Sequence, residues 1–148
     1  MTHVIHGPSL NQSARCAPIL RALPEWFGIE DATEHYIEAI DDLPTLVATV
    51  DGKDVGFLTI KRHSDKAAEI YVMGVLPSYH RNGLGRALLA AAEDHLRKLG
   101  VRFLQVKTLS STHPDAGYAR TRAFYCAVGF SALEEFPELW GKDNPALQ

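Results

Sequence analysis

The stretch Pro77–Leu89, PSYHRNGLGRALL, puts a proline turn, the pair Gly83 and Gly85, and the start of an alanine- and leucine-rich helix side by side. A helix begins with N–H groups that have no intrahelical acceptor and with a partial positive charge. Glycines at that point remove the side chains that would keep a ligand away, so the amides can wrap an anion, most often a phosphate. Arg81 and Arg86 add formal charge to the same place. A pyrophosphate cradle is one reading; an ordinary tight strand-to-helix turn is the other. The GxxxxGK[ST] phosphate loop is absent, and the GxGxxG dinucleotide pattern fails because its third glycine position is Leu88.

The elements around the loop are legible from their periodicity. Upstream, Thr45–Val50 (TLVATV) is β-branched and runs into Asp51-Gly52, a strong hairpin signal before DVGFLTIKR. The polar turn HSDKAA then leads to a third strand, Ala68–Leu76 (AEIYVMGVL). Three strands joined by short turns are expected to be antiparallel neighbours. Before them, Asn11–Leu23 and Glu30–Ile40 read as helices, the second with Ala32, Tyr36 and Ile40 on one face. Downstream, Leu84–Leu99 reads as a helix whose apolar face is Leu84, Ala87, Leu88, Ala91, Ala92, Leu96 and Leu99. Val101–Leu109 reads as a strand reached by a right-handed parallel crossover. Tyr118–Val128 reads as a helix stopped by Gly129, and SALEEF as a last strand. The order α-α-β-β-β-α-β-α-β describes an α+β or mixed three-layer domain, here one domain over residues 1–148.

Bulk properties narrow the function classes. The 148 residues are 46% hydrophobic and 22% charged, the balance of a globular chain, with a net charge of -3. That charge leaves no basic footprint for nucleic acid. No apolar run approaches a membrane span and the N-terminus carries no secretory pattern, so neither a membrane nor a secreted location is expected. Cys16 and Cys126 are lone thiols without metal spacing, which fits a reducing cytoplasm. The histidines show no ligand spacing, and no metal is expected.

The loop has company. AEIYVMGVLPSYHRNGLGRALL resembles the signature segment of the GNAT superfamily of acyl-CoA-dependent N-acyltransferases: a strand, a short turn, then [Q/R]-x-x-G-x-[G/A] opening a helix. The motif maps onto His80, Arg81, Asn82, Gly83, Leu84 and Gly85. TRAFYCAVGF (Thr121–Phe130) is similar to the second helix signature of that family, and the element order matches as far as Phe136. The resemblance implies a three-layer α/β/α fold, with a mixed, largely antiparallel twisted sheet of six to seven strands and about four helices. It implies acetyl-CoA as co-substrate, with the pyrophosphate on the amides of Arg81–Arg86. It further implies that the strand of Met73, Gly74 and Val75 splays from its neighbour and pairs with the pantetheine arm, the Met73 N–H polarising the thioester carbonyl. By the same resemblance Tyr125 serves as the leaving-group acid and Glu69 as the base, expected on the same strand face as Met73.

Three departures accompany the match. Position 80 is His where Gln or Arg is usual. Tyr118 stands where an Asn is common. After Pro137 the closing strand looks truncated or completed by a second chain, hence an expected homodimer. His113 and Asp115 are alternative bases. For the acceptor, Glu25–Asp42 holds seven carboxylates and no Lys or Arg, interleaved with Trp26, Phe27 and Tyr36. A solvated acidic face and a rim for a cationic amine are both compatible with that pattern. Two rival readings remain at this point: a non-catalytic acyl-CoA-binding module and a nucleotide-binding α/β protein.

Overall fold

The computed structural model describes residues 2–23, 30–80, 82–109, 116–140 and 146–148. The chain forms two compact units, Met1–Leu104 and Gln105–Gln148.

The first unit is built on a five-stranded sheet in the order β1-β2-β3-β4-β5. Strands β1 (His3–Ser9), β2 (Thr45–Val50), β3 (Lys53–Arg62) and β4 (Ala67–Val75) are antiparallel neighbours. β5 (Phe103–Val106) lies beside β4. The amides of Arg102 and Phe103 both donate to the Lys66 carbonyl, at 2.8 and 2.9 Å, so β5 begins at the end where β4 begins. That placement is the one the expected parallel crossover requires. β1 was not anticipated: HVIHGPS carries Gly, Pro and two His, and it survives as a strand because it is an edge, where a residue lacking N–H is tolerated.

Helices cover both faces of this sheet. Every residue of β2 is buried, as a sheet covered on both sides demands. On one face α1 (Ser13–Arg21) and α2 (Glu30–Ile40) pack Cys16, Ile19, Leu20 and Ile40 against Val47, Phe57 and Val72. On the other lies α3 (Leu84–Lys98), whose Leu88 reaches Gly56. The unit is therefore a three-layer α/β/α sandwich. The inward face of α2 is Thr33, Tyr36, Ile37 and Ile40, an i, i+3, i+4, i+7 set; Ala32 is exposed, one position off the expected stripe. On α3 the expected face holds except that Leu89 joins it and Leu99 is 48% exposed.

The second unit holds β6 (Thr108–Leu109), α4 (Ala116–Ala127), β7 (Glu135–Phe136) and β8 (Ala146–Leu147). Its sheet runs β6-β8-β7, with β8 antiparallel to both neighbours. Two expectations are corrected here. The strand read as Val101–Leu109 is interrupted at Lys107, and the single sheet of six to seven strands becomes a five-stranded and a three-stranded sheet. The closing strand is supplied by this chain: Gln148 donates to the Glu134 carbonyl at 2.8 Å and Leu133 to that of Gln148 at 2.8 Å. The incomplete edge that suggested a homodimer is thus filled from within.

Candidate active site

The glycine loop follows β4 through a 3-10 turn, Pro77–Tyr79. Gly83 is the residue before α3 and has φ +77°, and among the described residues no heavy atom beyond its chain neighbours lies within 4 Å of where a Cβ would stand. The glycine is required by its left-handed backbone, not by crowding from the protein. No acidic residue occupies the first turn of α3 and no side chain caps it. The first N–H groups of the helix, around Leu84, Gly85 and Arg86, have no intrahelical acceptor to use. The site therefore keeps the donors and the open space that an anionic diphosphate needs, and the residues fit a CoA pyrophosphate. Arg81 lies outside the described residues.

His80 closes the turn onto β4. Its Nε2–H donates to the Val75 carbonyl at 2.7 Å, so the ring reaches back to the end of β4 and pins the turn.

β4 offers a second docking element. The Leu76 amide donates to the Val55 carbonyl at 2.8 Å, so the polar groups of Leu76, Gly74 and Val72 point toward β3. By alternation those of Met73 and Val75 point away from β3, to the edge shared with β5. β5 has four residues, about 13 Å of strand, and begins beside Lys66. Counted from Lys66, four residues end short of Met73, so among the described residues β5 does not run along the Met73 and Val75 edge, where a strand-like partner could pair. The Val75 carbonyl on that edge is the one His80 holds. Gly74 turns its polar groups into the sheet, and its missing side chain has a packing reason: a Cβ there would sit 2.9 Å from Leu23 Cδ1 and 3.5 Å from Phe57 Cε1.

Glu69 does not share the Met73 face. The β3–β4 register steps from Thr59↔Val72 to Ile60↔Ile70, leaving Tyr71 as an extra residue in β4. Val75 touches the α3 side, where a Gly56 Cβ would also meet Leu88, and Met73 follows it two residues back. Tyr71 and Val72 both face the α1–α2 layer, Tyr71 making an edge-on ring contact with Tyr36 at 5.4 Å. Alternation from Ile70 then puts Glu69 on the α2 side as well. The bulge has reversed the face.

There Glu69 is 8% exposed and its Oε1 lies 2.6 Å from His63 Nε2. His63 is held at the hairpin end by its own amide, which donates to the Ala67 carbonyl at 2.9 Å. Lys61, the cross-strand partner of Glu69, places its Nζ 5.4 Å from the Tyr71 ring centre. Burial, then the Tyr71 and Glu69 charges, push the Tyr36 phenol above its ordinary range; burial and Glu69 do the same for Tyr71. In the sequence His63 stands only among the histidines without ligand spacing, with no role assigned. The signal was available: a hairpin turn that brings HSDKAAE back on itself folds a His toward a mid-strand Glu.

In the second unit Tyr125 sits on α4, 8% exposed, between Phe124 and Phe130 with ring centres 5.5 Å away on either side. The Phe130 amide closes the helix end on the Tyr125 carbonyl at 3.0 Å. Burial first, and Tyr118 second, push the Tyr125 phenol well above its ordinary range. A phenol so placed keeps its proton throughout the neutral range. Tyr118 is half-buried on the same helix. Trp26, Phe27, His113 and Asp115 lie outside the described residues. Among the described residues no group of three or more His, Cys, Asp or Glu could hold a metal, and no helix is long and apolar enough to cross a membrane.

The profile of the GNAT acetyltransferase family matches residues 14–130, most of the chain. The chain belongs to the GNAT family. A mycothiol acetyltransferase of Actinosynnema mirum is 35% identical over 92 residues, which cover 61% of this chain and 29% of that longer relative. The crystal structure of a GNAT-family acetyltransferase from Desulfovibrio desulfuricans superposes with a TM-score of 0.83 at 22% identity, covering 99% of this chain and 96% of that one. The PaiA N-acetyltransferase of Thermoplasma acidophilum, solved with coenzyme A, gives 0.75 at 20% identity over 100% and 99%. The two-signature match in the sequence is thereby accounted for, and the three-layer GNAT architecture is the observed one.

Proposed function

We propose that this GNAT chain is an N-acetyltransferase that moves an acetyl group from acetyl-CoA to a primary amine by direct attack. One observation carries the reading. The left-handed glycine turn at Gly83 and the Met73–Val75 edge that points away from β3 lie on consecutive segments, a donor cradle joined to a strand edge. The N-terminus of α3 would hold the pyrophosphate, and the Met73 edge would pair with the pantetheine arm. The Met73 N–H would polarise the thioester carbonyl as negative charge develops on it. The acceptor ammonium must first lose a proton, which leaves at the Glu69 end of β4. The departing thiolate takes one, which the buried, proton-retaining Tyr125 would supply. The family profile runs across the boundary at residue 104, which supports one functional domain. The unpaired thiols and the net charge of -3 support a cytoplasmic protein that acts on a small amine or a peptide amine rather than on nucleic acid.

CoA release measured over a panel of small amines and peptides tests the reading. Turnover with acetyl-CoA is expected, together with a fall in kcat of about a hundredfold or more in Tyr125→Phe while CoA affinity is kept. CoA binding with no turnover on any amine would make the chain a binding module instead.

A further inference from the structure

Which atom receives the acceptor proton can be taken further, on the footing that the reading above is right. Glu69 is buried, and its Oε1 is engaged by His63 Nε2 at 2.6 Å. The His63 side chain is 35% exposed, so its ring bridges the buried carboxylate and solvent. We propose that His63 is the proton acceptor of this site and that Glu69 is the carboxylate that orients it.

The chemistry favours the imidazole. A carboxylate accepting the Nε2–H fixes the tautomer, so the lone pair of the ring lies on Nδ1. The carboxylate also stabilises the imidazolium that forms when Nδ1 is protonated. Ordinary histidine titrates close to neutrality, whereas an ordinary glutamate is a weak base there. The surroundings are compatible with a pair that passes through a cationic state. Tyr36 from α2 and Tyr71 on β4 stay neutral beside it. Lys61 has its ammonium on the Tyr71 ring. In the hairpin Arg62 donates to the carbonyls of Ser64 and Asp65, next to the Asp65 and Lys66 charges.

The step balances as follows. The acceptor ammonium gives one proton, through water, to Nδ1 of His63, which becomes imidazolium. The free amine forms a C–N bond to the thioester carbonyl, and the C–S bond breaks as the tetrahedral adduct collapses. The thiolate takes the Tyr125 proton. The nitrogen sheds its second proton to solvent, from which Tyr125 is reprotonated. The His63 Nδ1 proton also passes to solvent at the exposed ring edge.

The test compares His63→Gln, His63→Ala and Glu69→Gln in the full chain, with CoA release against pH as the readout. His63→Gln is expected to lose about a hundredfold or more in kcat/KM, together with the acid limb of the profile. Free imidazole should restore part of the activity of His63→Ala. Glu69→Gln should lose less and keep the limb. His63→Gln retaining wild-type rate and acid limb would overturn the proposal; so would Glu69→Gln alone abolishing the limb. A readout independent of turnover is the ring tautomer, from long-range hydrogen–nitrogen NMR of labelled histidine. Protonated Nε2 is expected, and protonated Nδ1 with a bare Nε2 would equally overturn the assignment. A wild-type chain that shows the expected tautomer but transfers acetyl to no amine refutes the acetyltransferase reading, and this one with it.

Discussion

Gly83 separates backbone strain from ligand contact, because its φ of +77° is demanding while the space around its absent Cβ is empty. Gly83→Ala meets no atom of the described residues, so the cost to expect is the conformational one, about 1–2 kcal/mol for an L-residue in the left-handed region. For a domain of this length about 1 kcal/mol moves Tm by 2–4 °C, so a fall of roughly 2–8 °C is expected. Gly83→Asn should cost less, since Asn tolerates that conformation better. Stability should therefore run Gly, then Asn, then Ala. CoA affinity should follow a different order, because the open space is where the diphosphate would lie. Both side chains enter it, and Asn is the larger. Wild type at a hundred times Kd gains about 2.7 kcal/mol from the ligand, a shift of several degrees. A tenfold weaker variant gains about 1.4 kcal/mol less at the same concentration. Thermal unfolding with and without CoA, backed by calorimetric titration, reads both quantities. If Gly83→Asn binds CoA as tightly as wild type, the cradle is not where the diphosphate sits.

Other consequences can be checked together. The Tyr125 phenol is pushed up by burial and by Tyr118. A raised folded pKa contributes stability that is complete below the unfolded value of about 10 and is lost as pH rises beyond it. Wild type should therefore lose stability above pH 10 more steeply than Tyr125→Phe; equal slopes in alkaline denaturation would contradict this. Burial pushes the Cys16 thiol up to about 12, with Arg15 opposing, while Cys126 is exposed. A thiol reagent at pH 8 should titrate one fast cysteine in the native chain and two in denaturant, and two fast thiols in the native chain would be the wrong result. Gly74→Ala puts a Cβ 2.9 Å from the buried Leu23 side chain, an overpacking cost of about 1–3 kcal/mol. Its melting temperature should fall by several degrees; an unchanged value would mean that α1 yields at no cost.

The sequence was most legible where one chemical signal decides one element. Asp51-Gly52 set the hairpin, and the leucines of α3 set its buried face apart from the helix end, where Leu99 turns out to solvent. The glycine pair and the Phe-Tyr helix identified the family before any coordinate. Elements too short to show a period were not legible. β8 has two residues and exists through partners distant in the chain, such as Leu147 with Thr108, whereas β6 and β7 are the ends of the expected strands Val101–Leu109 and SALEEF. The face of α2 was misread by one position because Thr33, polar in composition, is buried while Ala32 is not. The contact of His80 with the Val75 carbonyl was likewise not legible, since it depends on how the turn folds back onto β4.

The bulge at Tyr71 is the feature no pattern could announce, and it explains how one strand can carry two functions. Without it, Glu69 would share the side-chain face of Met73, the side where Val75 and Leu88 converge near Gly56. A carboxylate there would be desolvated among leucines, a costly placement. One inserted residue turns Glu69 to the α2 side, where His63 meets it at 2.6 Å and the Tyr36–Tyr71 pair walls it. The backbone of Met73 and Val75 is unaffected by that reversal, since N–H and C=O groups emerge along the sheet edge and not from its faces. β4 thus presents amides to the proposed donor along one direction and the proposed acid–base pair along another. Within one strand only a bulge permits this, because strict alternation would tie the residue four positions upstream to the side of Met73.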